Sequence, residues 1–133
     1  MKTNRIIIIL LIFCSLLIAC NSYGKKEEFY GTEVYYTKGV NTEDAKRLGE
    51  FLVRSKFADG KTKSVQLTKN EENGHYVFRM VTNKKVQKED TYDFLFKALA
   101  IQISDSVFAG KPVDFEVCDN TFNTIKTLSF QSK

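Results

Sequence analysis

The chain has 133 residues, of which 43% are hydrophobic and 27% are charged, with one Pro, seven Gly and one His. This length fits one domain, and the composition excludes a fully disordered chain, a collagen-like repeat and a low-complexity polymer. Three Cys are too few for a disulfide-dense mini-protein, and a single His excludes a multi-histidine metal centre. We therefore expect one globular domain without a bound metal.

The first twenty residues have the layout of an export signal. Two cations, Lys2 and Arg5, precede an apolar run from Ile6 to Ala19, and Cys20 follows that run. A membrane-spanning helix needs about twenty apolar residues, which is more than this run supplies. The pattern therefore favours a cleaved signal peptide over an uncleaved membrane helix.

The end of the run, Leu17-Ile18-Ala19-Cys20, resembles the lipobox of bacterial lipoproteins. In that family a diacylglycerol is attached to the Cys thiol and the signal is cut before the Cys. The resemblance implies that residues 1–19 are a signal peptide and that Cys20 carries acyl chains. Because two or three acyl chains hold a membrane stably, the lipid bilayer is the expected partner. The expected location is the outer membrane of a diderm cell, on its periplasmic or surface side, or the outer leaflet of a monoderm cell membrane.

Removal of residues 1–19 also removes Lys2 and Arg5. It leaves 18 basic and 16 acidic residues, so the formal net charge falls from +4 to +2. So small a surplus does not favour a nucleic-acid partner, which needs a concentrated basic face. Because the next stretch is mostly polar, residues 20–31 are predicted to be the lipidated Cys and a solvated tether. Residues 32–133 are predicted to form a single α+β domain.

From about Thr32 the chain alternates between strand and helix patterns. Apolar residues recur at helical spacing after Asn41, which is a good N-cap, and again after Asp90. Elsewhere apolar and polar residues alternate, which predicts half-buried strands, and Asn73-Gly74 marks a hairpin. In chain order, the predicted elements are a strand at Glu33–Thr37, a helix from Asn41 to Phe57, strands at Ser64–Thr68 and His75–Val81, a charged connection at Asn83–Glu89, a helix at Asp90–Phe108, and strands at Val113–Cys118 and Ile125–Phe130.

The first six of these elements follow the order strand, helix, strand, strand, helix, strand. This order matches the ferredoxin-like βαββαβ arrangement. We therefore predict an α+β two-layer sandwich with an antiparallel sheet ordered 4-1-3-2, both helices on one face, and an extra C-terminal strand. Gly49 lies on the apolar stripe of the first helix and would allow a close approach to the sheet. The apolar stripe of the second helix is predicted to contain Leu95, Phe96, Leu99, Ile103 and Val107.

Three stretches, residues 35–40, 45–49 and 63–67, resemble a domain of uncharacterised bacterial membrane-associated proteins. The resemblance extends over about Gly31 to Leu128. It implies a module that is used in different protein contexts, and it supplies no activity and no site residue.

One side of the predicted sheet faces away from the helices and carries polar side chains. In the 4-1-3-2 order, Arg79 and Glu116 flank Tyr35, and Gln66 lies on the same face. A polar row of this kind is a candidate surface for recognising an envelope protein. The alternative is an ordinary solvated face, or one covered by the C-terminal strand or by a second copy. The candidate binding residues are Tyr35, Gln66, Arg79 and Glu116.

Cys118 is the Cys that remains after signal removal and lipidation of Cys20. A catalytic Cys needs a base within about 3 Å. His75 and Cys118 are predicted to lie at one end of the polar face, separated by the first strand and about 9–10 Å apart. We therefore predict no catalytic residue and a half-buried, inert Cys118. An intermolecular disulfide is the alternative.

The leading hypothesis is a membrane-anchored lipoprotein whose non-catalytic domain binds another component of the cell envelope. A periplasmic inhibitor or immunity-type lipoprotein is the alternative, and an enzyme that uses Cys118 is the third reading. The sequence contains no EF-hand spacing, Gly-rich phosphate loop or Gly-x-Ser-x-Gly motif. We therefore expect no cofactor.

Overall fold

The computed structural model describes residues 23–131. The predicted signal peptide, the lipobox and Cys20 lie outside the described residues. Six strands, β1 to β6, span Lys25–Phe29, Thr32–Tyr36, Lys63–Lys69, Tyr76–Val81, Val113–Cys118 and Thr124–Leu128. Three helices, α1 to α3, span Thr42–Arg54, Lys84–Lys88 and Asp93–Val107, and a single 3-10 turn at Asp90–Tyr92 precedes α3.

The six strands form one mixed sheet in which the spatial order is the same as the order along the chain. The pairs β1–β2, β3–β4 and β5–β6 are antiparallel, whereas β2–β3 and β4–β5 are parallel. Parallel neighbours need a crossover connection, and α1 supplies the first, while α2 and α3 supply the second. The fold therefore consists of two βαβ units joined by the β3–β4 hairpin, with β1 and β6 at the two edges.

The predicted ferredoxin-like fold is wrong, although the α+β content is confirmed. A ferredoxin-like sheet places one strand of the other unit between the two parallel strands of each βαβ unit, whereas here those two strands are direct neighbours. From β2 to β5 the two folds have the same order of strands and crossover connections, so the sequence pattern does not distinguish them. The structure also has a short helix at Lys84–Lys88, where the sequence predicts a charged connection.

The stretch predicted as a polar tether contains β1. Its sequence, Lys25-Lys26-Glu27-Glu28-Phe29, lacks an apolar alternation because β1 is an edge strand with little buried surface. Gly49 on α1 explains how this strand is held. A Cβ at Gly49 would lie 2.2 Å from the Phe29 ring, so the glycine provides the space into which Phe29 packs.

Helix α1 begins as predicted. The Asn41 side chain accepts a hydrogen bond from the Asp44 backbone N–H at 2.7 Å, which caps the first turn. The Asp44 carboxylate accepts hydrogen bonds from the Tyr76 hydroxyl at 2.8 Å and from Arg47. Tyr76 also stacks on Phe108, with ring centroids 3.9 Å apart. This contact set fixes α1 against β4.

The hydrophobic core lies between the sheet and the helices. At its centre the Phe115 ring stacks on Phe96 of α3 at 4.7 Å and contacts Phe78 at 5.4 Å. The predicted stripe of α3 is correct for Phe96, Ile103 and Val107, which are buried, but wrong for Leu95, which is 60% exposed. Within residues 23–131 no helix is long and apolar enough to cross a membrane.

Candidate functional site

The side of the sheet that faces away from the helices, called the open face below, carries all four candidate residues in one row. Tyr35, Gln66, Arg79 and Glu116 occupy consecutive register positions on β2, β3, β4 and β5. The predicted arrangement, with Arg79 and Glu116 on either side of Tyr35, is wrong because the strand order differs. Arg79 instead lies between Gln66 and Glu116. The alternation of each strand nevertheless places all four side chains on one face.

Arg79 is the centre of a hydrogen-bond network on this face. Its Nε donates to Glu116 Oε2 at 2.7 Å, and its Nη1 donates to Gln66 Oε1. Its Nη2 donates to the Phe122 carbonyl at 2.7 Å and to Thr124 Oγ1 at 2.9 Å. Four of the hydrogen bonds that a guanidinium can donate are therefore used within the chain. The Arg79 and Glu116 side chains are only 17% and 21% exposed.

Two aromatic residues from outside the strands cover the middle of the row. The rings of Tyr23 and Phe122 meet edge-on at 5.1 Å, and each lies 5.7 Å from the Tyr35 ring. Gln66, only 4% exposed, donates its amide N–H to the Tyr23 carbonyl at 2.8 Å. The open face therefore has a small second layer made by its own chain, in which the polar row is partly enclosed.

The loop between β5 and β6 is built to hold Phe122 in this position. Phe122 has a positive φ of 57°, which is a strained conformation for a side chain of this size. Asp119 stabilises the loop, because its carboxylate accepts hydrogen bonds from the backbone N–H groups of Thr121 and Asn123, both at 2.9 Å. These bonds lower the pKa of Asp119 to about 2. The sequence analysis did not find the roles of Tyr23 and Phe122.

At the β1 edge of the open face, Glu33 joins three neighbouring side chains. It accepts hydrogen bonds from Lys26 Nζ at 3.0 Å, Ser64 Oγ at 3.0 Å and the Tyr35 hydroxyl at 3.2 Å. The bond from Lys26 is the main reason that the pKa of Glu33 is lowered. Burial is the main reason that the pKa of Tyr35 is raised. The Glu33 and Lys26 charges at this edge are therefore also paired within the chain.

His75 and Cys118 lie at opposite ends of the open face, so their predicted position at one end is wrong. Because β4 and β5 are parallel neighbours, the residue before β4 and the last residue of β5 are about 20 Å apart along the strands. His75 instead contacts Asp114 at 3.1 Å. Cys118 is fully buried, more so than the half-buried state predicted, and this burial raises the pKa of its thiol. Burial therefore disfavours the thiolate that a nucleophile needs.

The helix layer, which is the side of the molecule formed by α1 and α3, has a different surface. Two adjacent large apolar residues in the first turn of α3, Phe94 and Leu95, are 79% and 60% exposed. The neighbouring 3-10 turn is tied to β6, because Lys126 Nζ donates to Asp90 at 2.6 Å and to Asp93 at 3.0 Å. An open apolar cavity of about 490 Å³ lies at the same end of the molecule. Its apolar lining residues are Phe57, Met80, Val81, Val86, Tyr92 and Phe96.

The described residues thus define a small α+β domain with a hydrogen-bonded open face and a partly apolar helix layer. Residues 27–129 match the family model of the AF_1994_N family N-terminal domain, and the chain belongs to this family. No curated protein and no solved structure matches the chain. Among residues 23–131, no group of three His, Cys, Asp or Glu side chains is placed to hold a metal ion.

Proposed function

We propose that this protein is a lipid-anchored lipoprotein of the cell envelope whose non-catalytic domain docks another envelope protein through its helix layer. The anchor rests on the sequence Leu17-Ile18-Ala19-Cys20, which has the order of residues found in a lipobox. The docking role rests on the surface of the domain.

The observation that carries the docking role is the exposure of Phe94 and Leu95. Burying a large apolar side chain contributes roughly 1.5–3 kcal/mol, and the fold leaves two adjacent side chains of this kind largely in water. They belong to a helix whose start is held to β6 by Lys126, so their backbone loses little conformational freedom when a partner covers them. Large apolar side chains exposed side by side near a cavity are typical of a site that another protein covers.

The hydrogen bonding of the open face also favours the helix layer as the docking surface. A partner that bound Arg79 or Gln66 would have to replace hydrogen bonds that both side chains already make within the chain. Replacing one satisfied bond by another adds little net free energy. The role of Tyr35, Gln66, Arg79 and Glu116 in recognition stays a prediction.

The test is in-cell photo-crosslinking of the full-length chain with a photoreactive residue at position 94. The matched control carries the same residue at position 72, because Glu72 is exposed and lies in the β3–β4 turn at the other end of the sheet. We expect one dominant protein to be captured from position 94 and not from position 72, and Leu95→Asp to abolish that capture. The same set of proteins captured from both positions would contradict the docking role.

The anchor is tested separately with Cys20→Ser. We expect the wild-type chain to sediment with membranes and its N-terminal peptide to carry the mass of acyl chains. Cys20→Ser should lose both properties. A Cys20→Ser chain that stays as firmly on the membrane as the wild type would contradict a lipid anchor.

A further inference from the structure

The place where the chain enters the domain constrains how a lipid anchor would orient it. Tyr23 lies on the open face, where its carbonyl accepts the buried amide of Gln66 at 2.8 Å. Its ring is also in edge contact with the rings of Tyr35 and Phe122. The first described residue of the chain is therefore fixed over the middle of the open face.

Gly24 makes this entry path possible. It has a φ of +92°, and a Cβ at this position would lie 2.3 Å from the Tyr36 carbonyl oxygen. Only glycine combines this backbone conformation with so close a crossing. Lys25 then begins β1 in register with Tyr36. Tyr23 is thus fixed in two ways. Its own carbonyl and ring contact the open face, and Lys25, two residues later, is paired with Tyr36 in the sheet.

The chain between Tyr23 and the predicted lipid is very short. Cys20 precedes Tyr23 by three residues, so its Cα lies within about 11 Å of the Tyr23 Cα. A six-stranded sheet is about 24 Å wide, and a layer of helices adds about 10–12 Å behind it. A chain of this length is too short to pass around the edge of the sheet and reach the outer side of the helices.

We infer that the open face lies against the headgroups of the bilayer once Cys20 carries its acyl chains, and that the helix layer points away from the membrane. This inference rests on the proposed lipid anchor. It places Phe94 and Leu95 on the side of the domain that a partner in the aqueous phase can reach.

The chemistry of the open face suits shallow contact with a polar headgroup layer. Four of its charged residues form two pairs within the chain, Lys26 with Glu33 and Arg79 with Glu116, while Glu28 at the β1 edge is exposed to solvent. The Tyr23 and Phe122 rings pack on each other and on Tyr35 instead of projecting as separate apolar wedges. Orientation therefore depends on the acyl chains and the short connection, and it is expected to form on neutral lipids, without attraction to anionic headgroups.

The test measures how far each side of the domain lies from the membrane. The full-length chain, purified from membranes with its lipid, is placed in phosphatidylcholine vesicles that carry an energy acceptor on their headgroups. A donor dye is attached through Thr127→Cys, on the open face in register with Glu116, or through Asp105→Cys, an exposed position on α3. Both variants carry Cys118→Ser, so that the introduced Cys is the labelled thiol.

We expect the donor at position 127 to lie about 20 Å closer to the headgroups than the donor at position 105, which is the combined thickness of the sheet and the helix layer. The matched variant has ten Gly/Ser residues inserted before Tyr23. It should lose most of this difference, because such a linker has an r.m.s. reach of about 16–19 Å. A difference that persists in the insertion variant would overturn the role of the short connection.

Mass spectrometry of the N-terminal peptide separates the two possible failures. If Cys20 carries lipid and the two donors are equally far from the headgroups, the orientation is overturned while the proposed anchor stands. If Cys20 carries no lipid, both the anchor and the orientation are overturned.

Discussion

The two faces of the sheet are both covered, but by different kinds of interaction. On the helix side, aromatic and aliphatic side chains such as Phe78, Phe96 and Phe115 pack into a dry core. On the open face, Arg79 joins three strands and a loop through hydrogen bonds, and only a thin cover of Tyr23 and Phe122 lies above it. A polar row on a sheet can therefore be the interior of a small second layer, and not only a surface for a partner.

The largest loss in the free energy of unfolding should come from a substitution on the helix side of the sheet. Phe115→Ala removes a fully buried ring that contacts both Phe78 and Phe96. Truncation of a core Phe costs about 3–5 kcal/mol, so we expect a loss of this size in the free energy of unfolding, measured by urea denaturation. Val53→Ala, at an exposed position on α1, is the control. Equal losses in the two variants would show that the core is not where the structure places it.

A smaller loss in the free energy of unfolding is expected from a substitution on the open face. Arg79→Met leaves Glu116 and Gln66 without their shared donor in a partly enclosed site, and we expect a loss of about 2 kcal/mol. Removing Glu116 as well, in Arg79→Met/Glu116→Leu, should recover part of that loss, because no carboxylate is then left unpaired. Arg54→Met, which breaks an exposed pair with Glu50, should change the free energy of unfolding by less than about 0.5 kcal/mol. An Arg79→Met loss no larger than that of Arg54→Met would mean that the network adds nothing to stability.

The smallest loss of stability is expected from a substitution in the loop that carries Phe122, and the size of this loss should depend on pH. The pKa of Asp119 is lowered from 3.8 to about 2 by hydrogen bonds from its own loop. A carboxyl whose pKa is lowered on folding stabilises the protein above its unfolded pKa, and this contribution is lost as the pH falls from about 4 to about 2. Asp119→Ala should therefore be less stable than the wild type at pH 7, and the difference should shrink across that range. A difference that is independent of pH between 2 and 7 would contradict the role of the ionised carboxylate.

Much of the fold could be predicted from the sequence, because period-2 and helical patterns mark β2 to β6, α1 and α3. The order of the strands could not be predicted. A crossover helix can connect adjacent strands or pass over one, and the apolar pattern of each strand is the same in both cases. Strand β1 was missed because an edge strand of Lys and Glu buries too little apolar surface to produce a pattern. Its signal lay elsewhere, in Gly49, whose missing side chain makes room for Phe29.

The sequence was sufficient to predict that the four candidate residues share one face of the sheet. It was not sufficient to predict the hydrogen bonds that they form. Alternation assigns Tyr35, Gln66, Arg79 and Glu116 to one face whatever the strand order is. The partners of Arg79 depend on which strands are neighbours and on a loop that folds back over the sheet. Tyr23 and Phe122 are single aromatic residues in irregular segments, where no periodicity marks them as buried.

The agreement between strand order and chain order has a consequence for folding kinetics. Each strand pairs with the one that precedes it along the chain, so no strand pairing spans more than one crossover connection. Folding is faster when contacts are local. In a ferredoxin-like sheet, by contrast, the first strand lies between the third and the last strand. Its pairing is therefore complete only after the last strand of the chain has joined the sheet. A chain that emerges from a ribosome or a membrane pore with its N-terminus first can add β2 to β1, then β3 to β2, and continue strand by strand to β6. Each intermediate therefore exposes only one growing sheet edge, which limits the time in which unpaired strands of neighbouring chains can meet.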